Sequence, residues 1–425
     1  MRDLPYGQGS IRLTDLWEGK GLWTAPGPFH PVDGEKVVQR ALEKPLGIPS
    51  LHDFLSPGCR CTVVVPDLTR RASVRVYLPL VLDRLRSMGV AKGDVTIVVA
   101  LGIHRSLDEA ELATLVGEQI LSTYDVVNHD PDDPGGCVRL GITGNGIPVQ
   151  INSRVAQADR VILTGNVTYH YFAGYGGGGK ALLPGVSSRE SCESHHKMVV
   201  AWRRGELEGD LAPGVLEGNP VQRVIREACA LAPPHMVLNV VTDPRGGIIG
   251  ASAGARDAAH LEACRTHDAY YRRRLKNPSR LVIASAGGFP KDINFIQAHK
   301  GLFSAHMAAE AGGVVILAAQ CPEGAGHRDF FSWFDRCRTE EQWLQRLEED
   351  YQINGQTAFS TWLRTRRTTT ILVSRLDPGD VHRMGMIPSG TMEEALREAE
   401  RILGGLPVPV ILPDAGDTLP VTRTA

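Results

Sequence analysis

Between residues 174 and 180 a run of glycines ends on a single lysine. Gly174, Gly176, Gly177, Gly178 and Gly179 lead to Lys180, with only Tyr175 interrupting them. Backbone without side chains lets a bulky group approach closely and carries positive φ without steric penalty. The lysine offers either a cation for a phosphate or an amine for covalent attachment of a cofactor. Gly174-x-x-x-x-Gly179-Lys180 satisfies most of the phosphate-loop pattern G-x-x-x-x-G-K-[ST]. Ala181 stands where that pattern needs a hydroxyl for Mg²⁺, and residues 165–172 separate the glycines from the apolar segment 161–164. Taken alone, the run also fits a glycine-rich turn that binds nothing.

Other segments raise it above that. Pro66-Asp67-Leu68-Thr69-Arg70-Arg71 combines a carboxylate, a hydroxyl and two guanidiniums. An arginine fork binds a carboxylate through two parallel hydrogen bonds, so this turn suits an organic acid; a helix N-cap on the surface is the plainer alternative. Gly102-Ile103-His104-Arg105 places an imidazole and a cation after an apolar run. Ser194-His195-His196-Lys197 follows the glycine run, and imidazole is the commonest ligand for nickel, copper and zinc. Adjacent histidines do not generally face one metal, so one of the pair is the expected ligand. Further on, Gly287-Gly288-Phe289-Pro290 leads to Gln297 and Lys300, three apart on one helical face.

The elements that must hold these groups alternate between strand and helix, the pattern of an α/β fold. Strands are expected over 61–65, 95–100 and 159–164, with helices over 74–88 and 107–116. Asp67, His104 and His170 each fall just past a strand end, where α/β sheets place functional loops. A second series of strands is expected over 281–285, 312–319, 368–374 and 408–412. The polar stretch 270–278, ending at Pro278, reads as a linker. At 425 residues the chain exceeds what one core supports. Two α/β domains are therefore expected, 1–275 and 276–425, with the active site in the cleft between them.

Composition excludes several partners. Lys and Arg number 46 against 48 Asp and Glu, which gives no bulk attraction to nucleic acid or a membrane surface. The clusters Arg272-Arg273-Arg274 and Arg364, Arg366, Arg367 read as solvated helix faces. No apolar stretch reaches the ~18 residues of a membrane span, and the first residues lack a signal-peptide core, so a cytoplasmic location is expected. Eight dispersed cysteines, with Cys59 and Cys61 the only close pair, read as reduced thiols.

Taken together, the motifs resemble one family: the nickel-dependent lactate racemases and their 2-hydroxy-acid racemase relatives. The resemblance rests on Asp67-x-Thr69-Arg70, Gly102-x-His104-Arg105, and His170 through Gly174 and Lys180 to Pro184-Gly185. It continues through Gly218-Asn219-Pro220-Val221, Asn239-Val240-Val241, Ala259-His260, and Gly287-Gly288-x-Pro290-x-Asp292 with Gln297 and Lys300. These segments occur in family order from about residue 60 to 330.

The resemblance implies a nickel-pincer nucleotide, the pyridinium-3-thioamide-5-thiocarboxylic acid mononucleotide that grips nickel through sulfur, carbon and sulfur. It implies attachment at Lys180, with Asp67, Thr69, Gly176, Gly177, Gly178 and Gly179 around the cofactor. A histidine completes the nickel; the family spacing favours His196, with His195 standing where the family usually has Asn. His104 and His170 match the two acid–base residues, and Arg70, Gln297 and Lys300 match residues that hold a small 2-hydroxy acid. The enzymes that synthesise the cofactor are implied partners, and a homo-oligomer stays open. Arg71 replaces a common proline, and Ile296 a common tyrosine, both beside substrate-binding matches. Arg71 is therefore expected to help bind a second carboxylate, shifting preference from lactate toward a dicarboxylic acid such as malate. Trp362 is the nearest candidate for the family's aromatic residue in the C-terminal region.

The chemistry is consistent with these residues. An ionised carboxylate opposes a neighbouring carbanion, so the α-hydrogen leaves more easily as hydride while a base takes the hydroxyl proton, giving a 2-keto acid. Hydride acceptance belongs to a cofactor. Each enantiomer then needs its own proton acceptor, a task within the range of histidine. A nucleotide hydrolase is opposed by Ala181, and a non-catalytic cofactor carrier by the presence of both histidines.

Overall fold

A computed structural model describes residues 3–13, 21–70 and 72–422 of the chain; the role expected of Arg71 lies outside the described residues. The fold is α/β and divides into two units, Phe29–Ala269 and a second made of Met1–Pro28 with Tyr270–Ala425.

The first unit is built on six strands: β1 (Cys61–Pro66), β2 (Val95–Ala100), β3 (Asp125–Asn128), β4 (Arg160–Asn166), β5 (His235–Thr242) and β6 (Ile248–Gly254). They lie in the order β6-β5-β4-β1-β2-β3, parallel except for β6. β1 reads Cys-Thr-Val-Val-Val-Pro because both of its faces are covered. Val63 and Val65 enter one apolar core and Val64 the other. Helix α1 (Val74–Ser87) buries Val74, Tyr77, Leu78, Val81, Leu82 and Leu85, a helical repeat. Its Tyr77 hydroxyl also meets Thr164 Oγ1 of β4 at 2.8 Å. Helix α2 (Glu109–Val116) starts two residues later than the sequence pattern suggests, because Asp108 and Glu111 form a capping box. Helices α3 (Arg189–Arg203), α4 (Pro220–Leu231) and α5 (Arg256–Tyr271) follow. The strand order reverses between β1 and β4. Open α/β sheets place their ligand crevice at the carboxyl ends flanking such a reversal.

The second unit holds β7 (Ser279–Ser285), β8 (Ala309–Ala318), β9 (Thr369–Val373), β10 (Ile387–Ser389) and β11 (Val410–Leu412), with helices α6 (Phe295–Ala308) and α7 (Ile353–Thr365). Its sheet is parallel in the order β10-β9-β8-β7-β11, with Leu22–Trp23 at the edge beside β11.

Here three expectations are corrected. Residues 1–28 belong with the C-terminal half, and the boundary falls after Ala269 rather than after residue 275. Leu4 is fully buried in the second unit's core, and Asp292 Oδ2 accepts the Gly7 N–H at 2.7 Å. The stretch 270–278 is not a loose linker: α5 runs to Tyr271, and Arg272–Leu275 pairs in parallel with Leu419–Thr422. Arg273 accordingly lies on a strand, not a helix face, and its Nε donates to the Ala25 carbonyl. All eight thiols are unpaired, as expected. Among the described residues, no helix is long and apolar enough to cross a membrane.

Candidate active site

At the end of β1 the chain turns through Asp67, whose side chain is almost fully buried. Its Oδ1 accepts the Thr69 backbone N–H at 2.8 Å and the Thr69 hydroxyl. Its Oδ2 accepts the Nδ1–H of His104 at 2.7 Å. Adjacent parallel strands bring the two residues together, since Pro66 pairs with Ala100. Burial would raise the Asp67 pKa, but the His104 hydrogen bond, the Arg70 charge and the Thr69 hydrogen bond hold it at about 2. An ionised Asp67 can only accept, so His104 Nδ1 must carry hydrogen, which in the neutral imidazole leaves the lone pair on Nε2. Asp67 thus ties Thr69 and His104 into one hydrogen-bonded group at the end of β1.

This pairing has a measurable consequence. A carboxylate with a depressed folded-state pKa contributes stability above its unfolded pKa and loses it as pH falls through the folded value. Asp67→Asn should therefore cost about 2 kcal/mol near neutrality. In denaturant titrations the gap between variant and parent should narrow between about pH 4 and pH 2. A gap independent of pH would refute the assignment.

Past β4, Tyr169–His170 pairs antiparallel with Gly174–Tyr175. His170 Nδ1 accepts the backbone N–H of Ala173 at 3.2 Å. An acceptor Nδ1 leaves the hydrogen of a neutral imidazole on Nε2, the reverse of His104. Burial, then the charges of Lys180, His196, Arg70 and His195, lower the His170 pKa well below the usual imidazole value. The hairpin is fastened outside its own ladder, because the hydroxyls of Tyr169 and Tyr175 both donate to Asp268 Oδ1 at 2.7 Å.

Lys180 sits in the 3₁₀ turn Gly178–Ala181, and the next α-helix begins only at Arg189. A phosphate loop needs a helix opening on its lysine, so that reading is overturned. Burial and then the Arg70 charge lower the Lys180 pKa to about 7. Its Nζ lies 5.7 Å from the centre of the Phe172 ring. Gly185 N–H donates to the Lys180 carbonyl, and Gly102 N–H to the Gly185 carbonyl, so backbone bonds join the lysine turn to the His104 loop.

The glycines leave room for neighbouring parts of the protein. Gly177 and Gly178 have φ of 72° and 55°, and a Cβ there would press on Asn239 Oδ1 and the His260 ring respectively. Gly178 N–H donates to Asn239 Oδ1, and His260 Nε2–H donates to the Gly176 carbonyl, both at 2.8 Å. A Cβ on Gly179 would meet Cys229 Sγ at 2.7 Å. At these three positions the protein itself occupies the space a Cβ would take.

In α3, His196 Nδ1–H donates to the Cys192 carbonyl at 2.6 Å, placing the lone pair of the neutral ring on Nε2. Burial and then the Lys180 charge bring its pKa to about 4. His195 is fully buried with neither ring nitrogen hydrogen-bonded. Among the described residues no cluster of three or more His, Cys, Asp or Glu could hold a metal ion.

In the second unit, Gln297 and Lys300 share one face of α6, with Lys300 Nζ donating to Gln297 Oε1 at 3.0 Å. Trp362, on α7, stacks with Phe359 and lies 5.9 Å from the Trp343 ring centre. Asn219, Gln222, Asn239, His260 and Asp268 are supporting residues to which sequence reasoning assigned no role. Asn219, Asn239 and His260 lay within its motifs, which was the available signal.

The first unit therefore gathers, beside a strand-order reversal, a lysine of depressed pKa and three histidines, His170, His195 and His196, whose pKa values are lowered. The family model for the lactate racemase N-terminal domain matches residues 17–207, and that for the C-terminal domain residues 275–416. The chain belongs to the lactate racemase family. It is 28% identical over 422 residues to the lactate racemase of Thermoanaerobacterium thermosaccharolyticum, covering 97% of both chains. It is 26% identical over 427 residues to that of Lactiplantibacillus plantarum, again covering 97% of both. The solved lactate racemase apoprotein from T. thermosaccharolyticum superposes with a TM-score of 0.89 at 28% identity, over 98% of this chain and 99% of that one. A Thermotoga maritima protein, 16% identical, shares the fold with a TM-score of 0.68, over 93% of this chain and 100% of that one.

Proposed function

We propose that this chain is an isomerase that inverts the hydroxyl-bearing carbon of a small 2-hydroxy acid. The observation that carries the reading is the opposed hydrogen bonding of two histidines, His104 with a lone pair on Nε2 and His170 with a hydrogen there. Inversion asks for two imidazoles that trade roles: one, neutral, takes the hydroxyl proton of the entering enantiomer and becomes imidazolium, while the other, entering the cycle as imidazolium, returns a proton to the oxygen of the leaving one. Arg70 holds the substrate carboxylate as a bidentate fork, and Gln297 and Lys300 supply further polar contacts.

A nickel-pincer nucleotide, when bound, supplies the hydride acceptor that side chains cannot. The residues fit such a group. Lys180, with a pKa near 7, has a substantial neutral fraction to serve as an anchor. His196 presents a neutral imidazole with Nε2 as donor, as nickel ligation needs.

The relatives' names make lactate the first substrate to try, while Arg71 and Ile296 favour a dicarboxylic acid such as malate. A second charge-assisted bond contributes about 1.5–3 kcal/mol, roughly a tenfold to hundredfold preference. The test uses protein from a host that makes the cofactor, with D- and L-malate compared with D- and L-lactate before and after Arg71→Pro. Malate should be the better substrate and should lose its lead in the variant. A parent that prefers lactate removes Arg71 from the specificity argument. A nickel-loaded parent that inverts no 2-hydroxy acid overturns the function itself.

A further inference from the structure

The Gly218-Asn219-Pro220-Val221 motif takes no part in the chemistry above, yet Asn219 is 2% exposed and makes bonds at both ends of its amide. Its Oδ1 caps α4, accepting the N–H of Val221 at 3.0 Å and of Gln222 at 3.3 Å. Its Nδ2 donates to the Phe172 carbonyl at 2.9 Å and to the Val215 carbonyl at 3.3 Å. Phe172 C=O and Ala173 N–H are two ends of one planar peptide. The same peptide that accepts from Asn219 therefore donates to His170 Nδ1. Hydrogen bonds in such a chain polarise one another.

Rotation of this peptide would remove both bonds at once. Gln222 restrains the next carbonyl by donating to Ala173 O, but among the described residues it is Asn219 that pulls on the carbonyl of the plane that faces His170. The arrangement mirrors Asp67 and His104 with opposite sense: a carboxylate enforces Nδ1–H there, and a polarised amide enforces a bare Nδ1 here.

We infer that Asn219 is a positioning residue that acts through the Phe172–Ala173 peptide to hold His170 with its hydrogen on Nε2. The inference rests on the reading of His170 as an acid–base group only for its consequence in turnover. The tautomer itself can be read without cofactor or substrate.

The test is ¹⁵N spectroscopy of histidine side chains in the full-length apo protein, with His170 assigned by its loss in His170→Gln. In the unaltered protein, His170 Nδ1 should resonate as a lone-pair nitrogen and Nε2 as a protonated one. Asn219→Asp keeps the oxygen that caps α4 and removes the donor; a carboxylate is well tolerated at a helix N-terminus. His170 should then show a mixture of tautomers while the melting temperature stays near the parent's. In the loaded enzyme, turnover should fall roughly 10–100-fold, the usual cost of losing a residue that orients another. An unaltered His170 spectrum in Asn219→Asp overturns the inference, and so does a protonated Nδ1 in the parent protein, which decides the matter even if the variant does not fold. A changed tautomer with unchanged turnover leaves the inference standing and counts against His170 in the reaction.

Discussion

Lys180→Ala should abolish any cofactor mass on the protein and reduce racemisation below detection, even when the protein is made in a host that synthesises the pincer nucleotide. The argument starts from a lysine lodged where burial and Arg70 have brought its pKa down to about 7. An amine that is partly neutral at physiological pH can act as a nucleophile, which an ordinary surface ammonium cannot. Intact-mass measurement and nickel content read the result, and full activity in a loaded Lys180→Ala protein would sink the anchor. Without cofactor the expectation runs the other way. A group whose pKa is lower folded than unfolded binds fewer protons in the native state, so stability rises with pH between the two values. Apo Lys180→Met should therefore melt above the parent near pH 7, and its lead should shrink toward pH 10.

The second large effect is expected at the two histidines. Replacing either His104 or His170 with Ala should lower turnover by roughly 10²–10⁴-fold, the usual worth of a placed proton-transfer group. Nickel content should survive in both, because His196 is the expected ligand. The two losses should differ by substrate hand: each variant should be most impaired in the half-reaction where its missing imidazole takes the hydroxyl proton. Deuterium wash-in from solvent onto the hydroxyl is too fast to follow, so the readout is the initial rate from each pure enantiomer. Parental rates in either variant would remove that residue from the reaction.

Much of the framework was legible because the central strands of a parallel sheet are apolar on both faces. The Val-rich runs of β1 and β2 could hardly be anything else, and the loops after them had to be examined for chemistry. The job of Asp67 was not legible, because its partner His104 lies 37 residues away and meets it only through strand pairing. The glycine run was ambiguous in a specific way. Room for a ligand and room for Asn239, His260 and Cys229 leave the same mark in a sequence. The boundary was misplaced for want of signal: Leu22–Trp23 is a two-residue strand, too short for any periodicity, and three consecutive arginines do not resemble the strand that 272–275 forms.

The unequal dress of the two imidazoles also implies that the free enzyme has a memory. Suppose one enantiomer is accepted by the form with a neutral His104 and an imidazolium at His170. Releasing its mirror image leaves His104 as the imidazolium and His170 neutral, which is the form suited to the opposite hand. Forward and backward substrates then meet two different proteins that interconvert only by moving a proton, and the Ala173 N–H aimed at His170 Nδ1 opposes the form in which His170 carries it. At low substrate the reset is hidden by the wait for the next molecule. At saturation it enters the cycle, and a near-equilibrium mixture given a labelled trace of one enantiomer would be pushed transiently away from balance before returning to it.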